Sequence, residues 1–251
     1  MLTCKNVTVT YGKKNLIEDI SFTVKKGELV VIIGKNGSGK TTLLRALSSN
    51  VRYHGDIRIE DTPAHSLEPS KRAQLFSFMP QILPQPHITL RQLVAFGRQP
   101  YTGLSGILST KDWEIVDEVI ALTNLESLKG SYVDKISGGE RRKAFFAMML
   151  AQKTPLLIAD EPCANLDSEY VKYMLSLLKA RREAGDTIVC VLHDINQAFE
   201  IADRLLVMDN GQLIFHGTPA QAVEENIPQT LFSLAPMRCI DEDGREAILY
   251  H

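Results

Sequence analysis

Apolar and polar residues alternate through the opening stretch, MLTCKNVTVTYGKK, and again further on. This period of two predicts strands over Thr3 to Thr10 and Ile17 to Val24. Leu29 to Ile33 is unbroken apolar, as in a strand buried on both faces. Further strands are predicted over Asp56 to Glu60 and Leu75 to Met79, with one helix, Lys40 to Ser49, between them. From about Leu90 to Gln152 the spacing changes: Leu90, Leu93 and Val94, then Trp113, Val116, Val119 and Ile120, recur every three or four residues and predict helices. A Gly- and Pro-containing loop, Arg98 to Ser109, separates them. Pro155 opens the short apolar run Leu156 to Ala159, which ends in two acids; a helix, Ser168 to Glu183, and a second buried strand, Thr187 to Leu192, follow. Strands alternating with helices imply a parallel sheet with right-handed crossovers, so the helical middle reads as an insertion in an α/β core. The tail from Thr218 predicts a short helix and a hairpin around Asp241 to Gly244.

Composition narrows the classes. At 251 residues, 44% hydrophobic and 23% charged, with a mean hydropathy of −0.06, the chain reads as globular rather than disordered or fibrous. A chain this long buries roughly 70–75% of its unfolded surface, so its core needs neither disulfides nor a structural metal. Lys plus Arg number 28 against 30 Asp plus Glu, a net charge of −2, which excludes nucleic-acid binding driven by bulk charge. Cys4, Cys163, Cys190 and Cys239 are scattered without C-x-x-C spacing, and reduced thiols are expected. The N-terminus lacks the apolar core of a signal peptide, and no apolar run approaches the 18 or so residues that span a bilayer. Any membrane role is expected to come through a partner.

Three motifs carry chemistry. Gly34, Lys35, Asn36, Gly37, Ser38, Gly39, Lys40, Thr41 and Thr42 satisfy G-x-x-x-x-G-K-[ST] directly after a predicted strand and at the start of a predicted helix. Backbone N–H groups of such a loop converge on one point, the helix N-terminus adds positive charge, and glycines permit close approach, so a nucleoside triphosphate is the expected ligand. Lys40 then reaches the β- and γ-phosphates and Thr41 places its hydroxyl on Mg²⁺. Asp160 and Glu161, at the end of the second apolar run, supply what a phosphate cradle lacks: Asp160 for the metal, through water, and Glu161 as general base. Ser137, Gly138, Gly139, Glu140 and Arg141 precede a helical run from Ala144 to Ala151; alone, a capped helix start of this kind reads first as an ordinary N-cap, and beside the other motifs as a second anion site, about a hundred residues from the first.

Together these motifs resemble the nucleotide-binding subunit of an ATP-binding cassette (ABC) transporter: Walker A at Gly34 to Thr42, the Ser-Gly-Gly signature at 137 to 141, Walker B at Leu156 to Glu161, and Ala164-Asn165-Leu166-Asp167 after it. The match runs over about residues 2 to 225, and the signature separates this family from other P-loop proteins. Tyr11 resembles the aromatic that stacks on adenine, Gln81 the Q-loop glutamine and His193 the switch histidine. Taken singly, each has a plain alternative: a strand-end aromatic, a loop amide, a histidine satisfying a backbone group. The resemblance implies a P-loop ATPase core with a mostly parallel sheet, an N-terminal antiparallel β subdomain and an inserted α-helical subdomain. In residues, the core is 1–89 and 153–225, the helical signature subdomain 90–152 and a C-terminal tail 226–251. It implies ATP and Mg²⁺ as cofactors, with Gln81 among both the catalytic and the metal-binding groups, and His193 holding the γ-phosphate and attacking water. It also implies a head-to-tail homodimer in which Ser137, Gly138 and Gly139 of one copy close on the nucleotide of the other and Asp167 communicates across the interface. Spelling departs from the family at Ile136 for Leu, Glu140 for Gln and Cys163 for Thr, none of which removes a group the chemistry needs.

The resemblance further implies membrane permease subunits as partners, an indirect solute-binding protein, no nucleic acid, and a place on the cytoplasmic face of a bacterial or archaeal membrane. The groove for the permease is expected along Gln81 to Thr89 and the start of the insertion, stiffened by Pro80, Pro84 and Pro86. Leu93 to Tyr101 resembles the Val-x-x-Gly-Arg-x-Pro segment of cassettes that serve iron-siderophore, haem and cobalamin importers, and such uptake is the leading expectation. A zinc or manganese importer, or a soluble ATPase of a scaffold such as iron–sulfur cluster assembly, are the alternatives.

Overall fold

The computed structural model describes residues 1–240 and 246–251. In chain order the elements are β1 (Leu2–Tyr11), β2 (Lys14–Val24), β3 (Leu29–Gly34), α1 (Lys40–Leu47), β4 (His54–Ile59), β5 (Thr62–Pro63), α2 (Pro69–Leu75), β6 (Phe76–Met79), α3 (Leu90–Ala95), α4 (Thr110–Leu122) and α5 (Gly138–Ala151). There follow β7 (Leu156–Asp160), α6 (Ser168–Glu183), β8 (Thr187–Val191), α7 (Ile195–Ile201), β9 (Arg204–Asp209), β10 (Gln212–Gly217), α8 (Pro219–Glu224), α9 (Ile227–Phe232), β11 (Pro236–Ile240) and β12 (Glu246–Tyr250).

The alternating N-terminal strands form an antiparallel sheet in the order β2-β1-β4-β5. Alternation is not continuous within them. In β1 the buried residues are Leu2, Cys4, Val7 and Val9, and in β2 they are Ile17, Ile20, Phe22 and Val24, so each strand slips by one residue. Asn6 and Asp19 take left-handed φ angles of 49° and 52° at these slips, and the Asn6 amide donates to Asp19 Oδ1 at 2.7 Å. One extra residue in each strand keeps both apolar sets on one face.

The continuous apolar runs form the larger sheet, in the order β10-β9-β3-β8-β7-β6, parallel throughout except for the β9–β10 pair. Val30 and Ile32 of β3 face a core shared with α1 and the antiparallel sheet; Val31 and Ile33 face a second core shared with α3 to α7. Burial on both faces explains why these strands carry no polar alternation. The β9–β10 hairpin and α7 are not among the elements expected from the sequence, and Leu75 ends α2 rather than opening a strand. The expected hairpin turn at Asp241 to Gly244 lies outside the described residues; the strands flanking it, β11 and β12, pair antiparallel. Among the described residues no helix is long and apolar enough to cross a membrane.

Residues 90–151 enter between β6 and β7. The segment expected as a loop from Arg98 begins as a 3₁₀ helix, Phe96–Tyr101. Gly97 and Arg98 have a structural task there. A Cβ on Gly97 would stand 2.4 Å from the Met148 carbonyl oxygen of α5, so only glycine allows this approach. Arg98 is buried beside it, donating to Asp112 Oδ1 at 3.0 Å and to the Ala151 carbonyl at 2.9 Å, with its guanidinium over the Tyr101 ring. The Gly-Arg-x-Pro spelling thus closes the end of α5 against this segment.

Candidate functional site

Parallel strands deliver their carboxyl ends to one edge of the sheet, where ligands of open α/β sheets bind. Here β3 ends in the glycine loop, β6 in Met79 just before Gln81, β7 in Asp160 and β8 just before His193. The resulting cleft, of about 560 Å³, is lined by Leu16, Asn36, Gly37, Gly39, Lys40, Thr41, Thr42, Gln81, Glu161 and His193.

Steric limits set the loop's conformation. Gly34, at φ 154°, would place a Cβ 2.2 Å from the Met208 carbonyl oxygen, and Gly39, at φ 102°, would place one 2.5 Å from Ile17 Cγ2. No other residue type fits either position without moving its neighbours. The N-terminus of α1 is left without a side-chain cap, its N–H groups facing the cleft mouth where an anion would sit. The Lys40 ammonium folds back onto the loop and donates to the carbonyls of Gly34 at 2.8 Å and Lys35 at 3.0 Å. Burial holds its pKa below the ordinary lysine value, opposed by the negative charges of Glu161 and Asp160. Ser38 is buried in the loop, and among the described residues its hydroxyl has no partner.

Asp160 is only 1% exposed, and among the described residues neither carboxylate oxygen has a partner of hydrogen-bond geometry. Burial pushes its pKa above the usual carboxylate range, offset in part by the neighbouring Thr41 hydroxyl. A buried, unpartnered carboxylate is costly unless a cation or donor arrives. This orphaned pair of oxygens beside Thr41 fits the donor set of Mg²⁺, a hard cation that takes few carboxylates and keeps water. When bound with a triphosphate, such an ion neutralises charge on the phosphates.

Glu161 has a left-handed φ of 55°, a strained conformation for a non-glycine residue. Its Oε1 accepts from Gln81 Nε2 at 2.7 Å and lies 2.6 Å from His193 Nε2. Three residues far apart in sequence thus meet at one carboxylate oxygen.

Other expected site residues lie elsewhere. Tyr11 is 80% exposed and does not line the cleft; Leu16, on the neighbouring strand, does. Ser137 caps α5: its hydroxyl accepts from the Glu140 N–H at 3.2 Å while Glu140 Oε2 accepts from the Ser137 N–H at 2.8 Å. Glutamate therefore completes a reciprocal capping box, and these hydrogen bonds hold its carboxyl below the usual range. Ser137, Gly138 and Gly139 do not border this chain's own cleft. Gly139 abuts the Asn165–Leu166 turn, with space for a Cβ 3.4 Å from the Asn165 carbonyl oxygen, and Asp167 caps α6 by accepting from the Tyr170 N–H at 2.8 Å. Cys163 is half-buried, and burial pushes its thiol up to about 12.

Sequence reasoning misses Leu16 and Arg142. Leu16 carries no chemical signal. Arg142 does: it stands on the buried stripe of α5 with Phe145, Phe146 and Met149, where a charge needs a partner.

The insertion also carries an apolar groove. It is lined by Ile88, Gln92, Ala95, Phe96, Gln99, Gly106, Ile107, Leu108 and Trp113, so of the stretch from Gln81 to Thr89 only Ile88 takes part. Ile107 is 76% exposed and Phe96 about half exposed.

Residues 17–164 match the family model described as ABC transporter. The chain is 36% identical over 237 residues to the petrobactin import ATP-binding protein FpuC of Bacillus anthracis, covering 93% of this chain and 87% of that one. It is 33% identical over 239 residues to the ferric enterobactin transport ATP-binding protein FepC of Escherichia coli, covering 94% and 87%. Among solved structures, the dimeric ATP-binding cassette MJ0796 in a post-hydrolysis state bound to ADP and Pi superposes with a TM-score of 0.79 at 26% identity, over 87% of this chain and 99% of that chain.

Proposed function

The chain belongs to the ABC transporter family and is an ATPase, and from that premise we propose that it energises a membrane importer of ferric siderophores. The observation that carries the catalytic part is the single cleft in which the glycine loop, Lys40, Gln81, Glu161 and His193 converge. Glu161 acts as general base on water, with His193 and Gln81 positioning the carboxylate, the water and the γ-phosphate. Lys40 leaves its loop carbonyls for the phosphates, and Asp160 and Thr41 hold Mg²⁺.

The signature residues complete the site of a second copy. Ser137 to Gly139 sit at the start of α5, whose N–H groups attract anions, yet border no part of their own cleft. A head-to-tail pair would give each γ-phosphate two protein surfaces, closing with ATP and opening once the terminal phosphate is detached. Residues 90–152 then move as a signature unit against the core formed by 1–89 and 153–225. The fold similarity to a dimeric cassette supports this arrangement.

The relatives' names support siderophore uptake, and the apolar groove containing Phe96 and Ile107 suits a short helix of a permease, on whose substrate-binding protein the cargo choice depends. The chain would then sit peripherally on the cytoplasmic face of the membrane. The deciding experiment follows uptake of labelled ferric catecholate and hydroxamate chelates, haem and cobalamin in a deletion strain complemented with wild type or Lys40→Ala. Loss of a ferric chelate alone, restored only by wild type, is expected; unchanged uptake of every ferric chelate would end the siderophore reading. Ile107→Glu is expected to reduce the fraction of chain sedimenting with permease-containing membranes by roughly tenfold while leaving ATP hydrolysis by the isolated chain unchanged. Wild-type sedimentation would remove this groove as the docking site.

A further inference from the structure

Arg142 lies on α5, five residues after the serine that caps it, and is only 7% exposed. Its guanidinium spans two segments that are 80 residues apart in sequence: Nη1 donates to the Glu161 carbonyl at 2.6 Å and Nη2 to the Gln81 carbonyl at 3.0 Å. These are the main-chain groups of the two residues whose side chains meet at Glu161 Oε1. Burial lowers the Arg142 pKa from its ordinary value, against the pull of Glu161 and Asp160, so the position is an expensive one for a cation. A packed apolar residue would fill the stripe of α5 more cheaply. What it would lack is the fork: a planar guanidinium offers parallel donors in fixed geometry, which holds two acceptors at a set separation.

We propose that Arg142 is a positioning residue that fixes the Glu161 and Gln81 backbones relative to each other and to α5, so that the base stands ready only when the signature helix is in place. The inference rests on the reading of Glu161 as base. It explains how Glu161 keeps its strained φ, since the carbonyl of that same residue is pinned. It also gives the signature helix a direct connection to its own chain's base, in addition to any contact with a partner's nucleotide.

The test uses the full-length chain, measuring steady-state hydrolysis, equilibrium ATP affinity and thermal unfolding. Arg142→Met, which keeps an unbranched stem but removes both donors, is expected to lower kcat by about tenfold to a hundredfold, the cost of a misplaced catalytic group. ATP affinity should stay within about twofold, because the glycine loop is untouched. Arg142→Lys, with a single donor nitrogen, should fall between. In a Glu161→Gln background Arg142→Met should cause no further loss, since the group it places has already lost its basicity. Wild-type kcat in folded Arg142→Met, an affinity loss as large as the kcat loss, or an equal loss in the Glu161→Gln background would each overturn the proposal. Should Arg142→Met not fold, Arg142→Gln takes its place with the same readouts. If Glu161→Gln itself hydrolyses ATP at the wild-type rate, the base assignment falls; if it is slow and Arg142 variants are not, only the positioning role falls.

Discussion

Glu161→Gln is expected to lower ATP turnover by about 10²- to 10⁴-fold, the usual contribution of a general base, while ATP affinity is retained. The amide is a near-isostere, and its oxygen can still accept from Gln81 and His193, which meet at Oε1 in the parent chain. Geometry is therefore conserved and only basicity is lost. On the proposed head-to-tail pairing, in which hydrolysis would detach a γ-phosphate bridging two copies, the variant should accumulate as a dimer with ATP and Mg²⁺. Rate measurements and size-exclusion chromatography with ATP check both parts. Turnover at the parent rate would exclude Glu161 as base, and a monomeric elution with ATP bound would exclude the bridging role of the nucleotide.

Asp160→Asn should produce effects of opposite sign on stability and activity. Among the described residues, none hydrogen-bonds either oxygen of the buried Asp160 carboxylate. A neutral amide of the same shape relieves part of that penalty, about 1–3 kcal/mol, and for a chain this long each kcal/mol moves the melting temperature by about 2–4 °C. The same exchange removes the negative charge that suits Mg²⁺, so Mg²⁺-dependent hydrolysis should drop by at least about a hundredfold. Differential scanning calorimetry without nucleotide, beside a Mg²⁺ titration of hydrolysis, measures the pair. A melting temperature at or below the parent's would show that the carboxylate is compensated in solution, and full activity would show that Asp160 does not hold the ion.

Much of the fold and the cleft is legible in the sequence because it is local. The runs Leu29 to Ile33, Leu156 to Ala159 and Ile188 to Val191 are apolar without interruption because both faces are covered, and each lies in a buried parallel strand. The glycine pattern at 34, 37 and 39 encodes backbone angles directly, so residue spacing alone locates the loop that bears Lys40. What escapes such reasoning depends on contacts distant in sequence. The slips at Asn6 and Asp19 make sense only once β1 and β2 are paired. Gly97 and Arg98 read as loop punctuation, yet their spacing answers to Met148, Asp112 and Ala151. Arg142 shows by its place on an apolar stripe that it needs a partner, but not that its partners are the carbonyls of Gln81 and Glu161. Leu16, which carries no chemical signal of its own, borders the cleft from the antiparallel sheet.

The closure around Arg98 has a mechanical consequence. Phe96 and Ala95 border the apolar groove, Gly97 and Arg98 are clamped to the far end of α5, and Ser137 caps its near end. At about 1.5 Å per residue, the 14 residues of α5 make a strut roughly 21 Å long. If a permease docks at this groove as proposed, the clamp at Gly97 and Arg98 would pass its displacement to α5, and the glycine pair at the other end of the strut would tilt with it.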